Sequence, residues 1–308
     1  MADIRYTVLE HRGLLTIAGE DRRTFLQGLV SNDVTKVAPD RAVWAALLTP
    51  QGKFLHDMVI VEMGETLFLE AEQARLDDLK TRLSRYRLRA KVQIAVAEGW
   101  EVAAVFGAGA AARLGLPENA PGAVLPLPGG DGDGIAFTDP RLAGAPLRVI
   151  APTERAAAVL ADLGAVPAGR DDYEALRIGL GLPDGSRDIE VEKGLLLESG
   201  FDELNGVDFK KGCYVGQELT ARTKYRGLTK KRLLPLTLPP GHTAAPGTPL
   251  LTADGKEAGE VRTSVSGRAL ALVRLEHREA PLTADGVAVT VALPDWVRLP
   301  QPKEAAGT

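Results

Sequence analysis

The sequence predicts an α+β fold that ends in a small β-barrel. Three observations carry this. Apolar runs of strand length at residues 43–48, 54–61 and 66–69 are separated by turn residues. Leu76, Leu79 and Leu83 then recur at helical spacing. After Lys231, short strands at 233–238, 248–251, 259–265, 269–275 and 287–291 alternate with Gly, Pro and Asp turns, the texture of a barrel or sandwich.

In order along the chain, residues 14–17 read as a strand and Gly19-Glu20-Asp21 as a turn into a helix that buries Phe25, Leu26 and Leu29. Pro50-Gln51-Gly52-Lys53 joins two strands, since proline presets one backbone angle and glycine permits positive φ. Tyr86, Leu88, Ala90, Val92 and Ile94 alternate with Arg85, Arg87, Arg89, Lys91 and Gln93, which predicts a strand with one apolar and one basic face. Residues 100–106 form a further strand, and 110–114, 152–163 and 173–179 form helices. Residues 182–205 read as loop with short elements. Gly107-Ala108-Gly109 mimics a dinucleotide-binding turn, but no second strand ending in an acid follows about 20 residues later, so it reads as a small-residue turn. The chain is expected to divide into residues 1–228, 229–300 and a flexible tail at 301–308.

The composition narrows the function. With 308 residues, 45% hydrophobic and 25% charged, the chain supports two or three ordinary globular domains. A net charge of −4 argues against direct nucleic-acid binding over the whole surface. The lone Cys213 excludes an internal disulfide and a cluster ligated wholly by this chain's thiolates. The four scattered histidines do not suggest a metal centre. The N-terminus lacks an apolar signal run, and no stretch reaches the roughly 20 apolar residues of a membrane span. A soluble cytoplasmic protein with no membrane partner is expected.

The segment richest in chemistry runs from Phe209 to Gly227. Gly212 marks a tight turn, and Val215 and Leu219, four apart, suggest a helix starting near Cys213. A thiol at a helix N-terminus beside Lys210 and Lys211 is a candidate functional thiolate, and a small buried hydrophobe is the alternative. From Lys210 to Arg232 there are eight basic residues against the single acid Glu218. Such a run is a solvated face or an anion site, in which Arg222 and Arg226 suit carboxylates.

Lys211-Gly212-Cys213-Tyr214-x-Gly216-Gln217-Glu218, with Arg222 and Arg226-Gly227 after it, resembles the signature of YgfZ-type proteins of the glycine-cleavage T-protein (aminomethyltransferase-like) superfamily. Phe25-Leu26-Gln27-Gly28, Ser31-Asn32-Asp33-Val34, Leu48-Thr49-Pro50-Gln51-Gly52-Lys53 and Leu176-Arg177-Ile178-Gly179-Leu180-Gly181-Leu182-Pro183 extend the likeness over residues 13–235. The branch it is most similar to includes a mitochondrial iron–sulfur assembly factor.

The resemblance implies a T-protein-like fold: three domains around a central channel, with two interleaved α+β subdomains in residues 1–228. It implies tetrahydrofolate in the channel, contacted by Asn32, Trp44, Lys211, Gly212, Tyr214, Gly216, Gln217, Glu218, Arg222 and Arg226. Cys213 matches the family's functional thiol, and Asp57 matches a carboxylate near the folate nitrogens, with an ordinary strand residue as its alternative. Trp44 stacks on a pterin or sits in the core. The departures are Gly179, where T-proteins carry a pterin-anchoring glutamate, and His56-Asp57, where they carry two aspartates. The function implied is that of an accessory factor for maturation or repair of [4Fe–4S] proteins, including tRNA-modifying enzymes, with iron–sulfur proteins or assembly factors as partners. A folate-dependent aminomethyltransferase and an RNA-binding module are the alternatives.

Overall fold

A computed structural model describes residues 4–128, 134–227 and 229–299; the tail at 301–308 lies outside them. Two sheets and a barrel make up the molecule. The first sheet has six strands in the spatial order Val166–Pro167, Arg5–Val8, Trp100–Phe106, Leu147–Pro152, Ile135–Phe137 and Val124–Pro126. The second has five, all antiparallel, in the order Val43–Leu48, Phe54–Met63, Thr66–Glu72, Arg12–Ala18 and Gln93–Val96. Arg5–Val8 pairs with Trp100–Phe106 before the chain enters the second sheet, so the two sheets share the N-terminal segment. Six antiparallel strands from Lys231–Thr237 to Val287–Val291 close the barrel; the sequence signal missed the one at Leu282–Ala284.

The second sheet is buried on both faces, so its strands read as apolar runs rather than alternating ones. Val43, Ala45 and Leu47 pack with Phe25, Leu29, Leu79 and Leu83. Trp44, Ala46 and Leu48 face a different cluster, with Phe137, Tyr173 and Phe201. A bulge between Leu47 and Leu48 sets the register in which Ala46 opposes Asp57. Because successive strand residues point to opposite faces, His56 and Asp57 diverge: His56 reaches Asp78 on the outer helix, and Asp57 reaches Trp44 on the inner face.

Two expectations are corrected. Residues 86–94 are not one strand. The helix Leu76–Tyr86 runs through Arg85, the chain turns at 87–92, and only Gln93–Val96 pairs in the sheet. Tyr86 extends the spacing of Leu76, Leu79 and Leu83, so the helical period wins, and Leu88, read as buried, is 90% exposed. The second correction concerns the motif helix, which spans Gln217–Arg226 and starts beyond Cys213. Its buried side chains are Thr220 and Thr223 rather than Val215 and Leu219.

Candidate functional site

Charged side chains fill the space between the two sheets and the barrel. Arg12 donates from Nε to Glu70 Oε1 (2.9 Å) and from Nη1 to Asp184 Oδ1 (3.1 Å). Arg141 makes a two-point contact with Asp139 (2.9 and 2.6 Å), and Arg148 donates to the Tyr173 hydroxyl (3.0 Å). Arg177 bonds Glu174, Asp188 and the Leu182 carbonyl. Arg12, Glu70, Asp139, Arg141, Arg148, Glu174, Arg177, Asp184 and Asp188 are all buried. Burial works against ionised Asp184, but the hydrogen bond from His11 and the charges of Arg12 and Arg177 outweigh it and hold the carboxyl well below its usual range. His11, Glu174 and Asp184 approach one another as metal ligands would, yet Arg187 Nη1 already bridges the two carboxylates at 2.8 and 2.7 Å.

Asp57 borders this network. Its Oδ2 accepts from Trp44 Nε1 at 3.2 Å, while Oδ1 has no hydrogen-bond partner and lies 3.6 Å from Arg12 Nη1. Burial pushes the carboxyl up, against the pull of Arg12. Trp44 is 1% exposed, stacked on Phe201 at 3.8 Å between centroids, with the Arg141 guanidinium 5.4 Å from its ring. The ring is therefore covered, and no face is open to a pterin. Asn32 is also committed: its Nδ2 donates to the carbonyls of Trp44 and Asn205 (both 2.7 Å) and its Oδ1 accepts from Asp33 N. A Cβ at Gly179 would lie 2.4 Å from Nη1 of Arg268, the exposed end of a flexible barrel side chain, so position 179 faces the barrel. In front of Asn32 and Trp44 a cavity of about 260 Å³ remains, edged by Lys36, Arg41 and Asp208.

His56, on the outer face, is held neutral. Burial and the guanidiniums of Arg75 and Arg82 push it down to about 4, against the attraction of Asp78. A depressed folded value means stability that is full above the unfolded value near 6.5 and is lost as pH falls toward 4. Between pH 7.5 and pH 5 this group is expected to remove about 2 kcal/mol. Urea unfolding of the wild type and of His56→Gln at both pH values checks this: the variant should lose less stability on acidification.

The motif segment lies at the surface, tied down from below. Lys211 Nζ donates to the carbonyls of Val30 (2.6 Å) and Asn32 (2.7 Å) and sits 5.1 Å from the Tyr214 ring centre. Its burial pushes the ammonium down to about 8. Tyr214 N donates to Gln217 Oε1, and Val215 N to the Gly28 carbonyl. Lys211, Tyr214, Gly216 and Gln217 thus hold the loop in place, and between them Cys213 is exposed. The thiol is not at a helix start, and Lys211, the nearer of the two lysines in sequence, is engaged with backbone carbonyls. Glu218, Arg222 and Arg226 are exposed on the following helix, as is Gly212 in the loop. Hence the structure joins Asn32, Trp44 and Asp57 in one buried cluster, to which Lys211 is bonded through the Asn32 carbonyl, and leaves Cys213, Glu218, Arg222 and Arg226 exposed on the motif loop and its helix. The sequence reading missed the buried arginines and acids, apart from Arg177 within a quoted segment, because they come from strands and loops far apart in the chain.

Residues 8–116 match the GCVT N-terminal domain and residues 230–299 match the CAF17, C-terminal beta-barrel domain. The glycine cleavage system aminomethyltransferase T from Bartonella henselae superposes with a TM-score of 0.76 at 16% identity, covering 96% of this chain and 86% of that one. The fold is therefore the aminomethyltransferase-like one. Two curated relatives, named iron–sulfur cluster assembly factor IBA57, mitochondrial, are 33% identical (Mus musculus) and 34% identical (Homo sapiens), each over 94% of this chain and 84% of its own length. These names overturn the cytoplasmic expectation, which rested on the missing apolar signal run. That run bears on secretion, whereas mitochondrial leaders are amphipathic and arginine-rich. Among the described residues no helix is long and apolar enough to cross a membrane. With this identity over this length, on this fold, the chain belongs to the family of the iron–sulfur cluster assembly factor IBA57.

Proposed function

We propose that the chain acts in iron–sulfur cluster assembly and contributes Cys213 as a thiolate that touches a cluster, an intermediate or a partner protein. The observation that carries this is the exposure of Cys213 on a loop fixed on both sides by Lys211 and Gly216. A structural cysteine is buried, whereas this one is presented. One thiolate cannot hold a cluster alone, so the remaining ligands come from a partner. The proposed clients are [4Fe–4S] enzymes, tRNA-thiolating ones among them, in keeping with the YgfZ-type motif.

Tetrahydrofolate held with its pterin in the protein's centre does not fit the residues present. Trp44 is covered, Asn32 has its hydrogen bonds filled, and Gly179 offers no side chain in place of the pterin-anchoring glutamate. No step is assigned to folate, and the aminomethyltransferase alternative loses its orienting contacts for the same reason. The RNA alternative loses much of its basic run: Lys211 is bonded to carbonyls, Lys224 to Asp202, and Arg232 is buried against Glu203.

Cys213→Ser tests the proposal. In cells lacking the endogenous factor, the variant is expected to restore less than about a tenth of [4Fe–4S] enzyme activity. Its unfolding free energy should stay within about 0.5 kcal/mol of the wild type, as for exposed substitutions generally. Full restoration by the serine variant would remove the thiol from the function.

A further inference from the structure

We propose that the cavity between the turn Thr49–Lys53 and the C-terminal end of the helix Leu76–Tyr86 is a binding site for an organic anion: a carboxylate, phosphate or sulfonate on a flat apolar body. The cavity measures about 580 Å³, within the range of small-molecule sites. Its floor is made by Leu47, Leu48 and Leu55, and Tyr86, 39% exposed, forms one wall. Lys53 and Arg85 supply charge at the rim.

The charge balance favours an anion. Arg82 also lines the cavity, but both Asp78 oxygens (2.8 and 2.9 Å) and Glu192 (3.4 Å) neutralise it and hold it still. Among the described residues Lys53 and Arg85 make no hydrogen bond or ion pair through their side chains; Glu198 feels the charge of Lys53 without bonding to it. A ligand entering here covers leucine and tyrosine carbon and meets two cations that are not paired, while Asp78 and Glu192 are engaged with Arg82. Arginine offers a carboxylate or phosphate two parallel hydrogen bonds, and a cation beside an apolar floor selects an anion with an apolar body over a bare ion.

The cavity also shares a wall with the motif segment. A Cβ on Gly52 would lie 2.7 Å from the Gly216 carbonyl oxygen, so the turn touches Gly216 on its other side, three residues from Cys213. A bound anion therefore sits across one turn of chain from the thiol loop.

The full chain titrated with 8-anilinonaphthalene-1-sulfonate, followed by fluorescence, tests the site. One equivalent is expected to bind saturably. Arg85→Glu should weaken it at least tenfold, and Gln51→Trp, which fills the cavity from an exposed turn position, should abolish it. Arg170→Glu, on a different helix, should bind as the wild type does. Far-UV circular dichroism shows that each variant is folded. The site is refuted by non-saturable binding, by wild-type affinity in Arg85→Glu, or by equal weakening in Arg170→Glu.

Discussion

Arg177→Met is expected to cost about 3–5 kcal/mol of stability at pH 7, the range for removing one partner of a buried ion pair. Arg177 is 1% exposed and donates to Asp188 Oδ2 at 2.6 Å, Glu174 Oε2 at 2.7 Å and the Leu182 carbonyl at 2.7 Å. Methionine fills much of the volume but returns none of these bonds. Arg187 still serves Glu174 Oε1, and Thr263 and the Asp184 amide still serve Asp188, but Glu174 Oε2 and the Leu182 carbonyl lose the donors that Arg177 gave them, together with its charge. Burial already pushes Asp188 up, and losing Arg177 pushes it further. A carboxyl raised in the folded state favours the native protein at low pH, and that advantage is lost as pH rises through its folded value. The penalty is therefore larger at pH 7 than at pH 5. Urea denaturation at both values measures it. A loss below about 1 kcal/mol, unchanged with pH, would mean that water reaches this network and screens it. Because Arg177 Nη2 also donates to Thr263 of the barrel (3.4 Å), the variant should loosen the barrel against the helix Arg170–Gly179 and broaden the transition.

The fold was legible where physics is local. The meander of residues 43–69, the short helix Ala110–Leu114 and most barrel strands follow from apolar period and turn residues. The stretch after Tyr86 failed because four alternating basic residues and Gln93 imitate a strand, while the helix period of Leu76, Leu79 and Leu83 continues into it. The Cys213 segment was legible as a motif but not as a geometry: the apolar residues at 215 and 219 suggested a helix that in fact begins after the left-handed Gly216. The ionic network was the least legible part. Arg12, Glu70, Asp139, Arg148 and Asp184 look like solvated charges in any local window, and only tertiary packing brings them together. The packing that encloses Arg141 also covers Trp44, which no local window could show.

Gly216→Ala is expected to cost about 3 kcal/mol, and Gly212→Ala about 1 kcal/mol, although both glycines have left-handed backbones, with φ of 79° and 87°. The shared part is the strain of a Cβ at positive φ, about 1–2 kcal/mol. The difference is space. Nothing lies within 4 Å of a Cβ built on Gly212, whereas one on Gly216 would meet the Thr49 carbonyl oxygen at 2.3 Å and Leu48 Cβ at 2.9 Å. These are backbone and core atoms of a buried strand end and its turn, so neither swings aside as a flexible side chain would. Gly52, facing it, is equally constrained, with Leu219 Cβ 2.6 Å from its own would-be Cβ. Two glycines thus let a hairpin turn and the motif loop pack backbone to backbone, and that contact fixes where Cys213 emerges. Urea denaturation of both variants gives the stability difference. The alkylation rate of Cys213 by iodoacetamide should change in Gly216→Ala more than in Gly212→Ala, despite the closer sequence position of the latter. Equal costs for the two substitutions would show that the turn yields to the added methyl, and that the loop bearing the thiol is held by Lys211 and Tyr214 rather than by this contact.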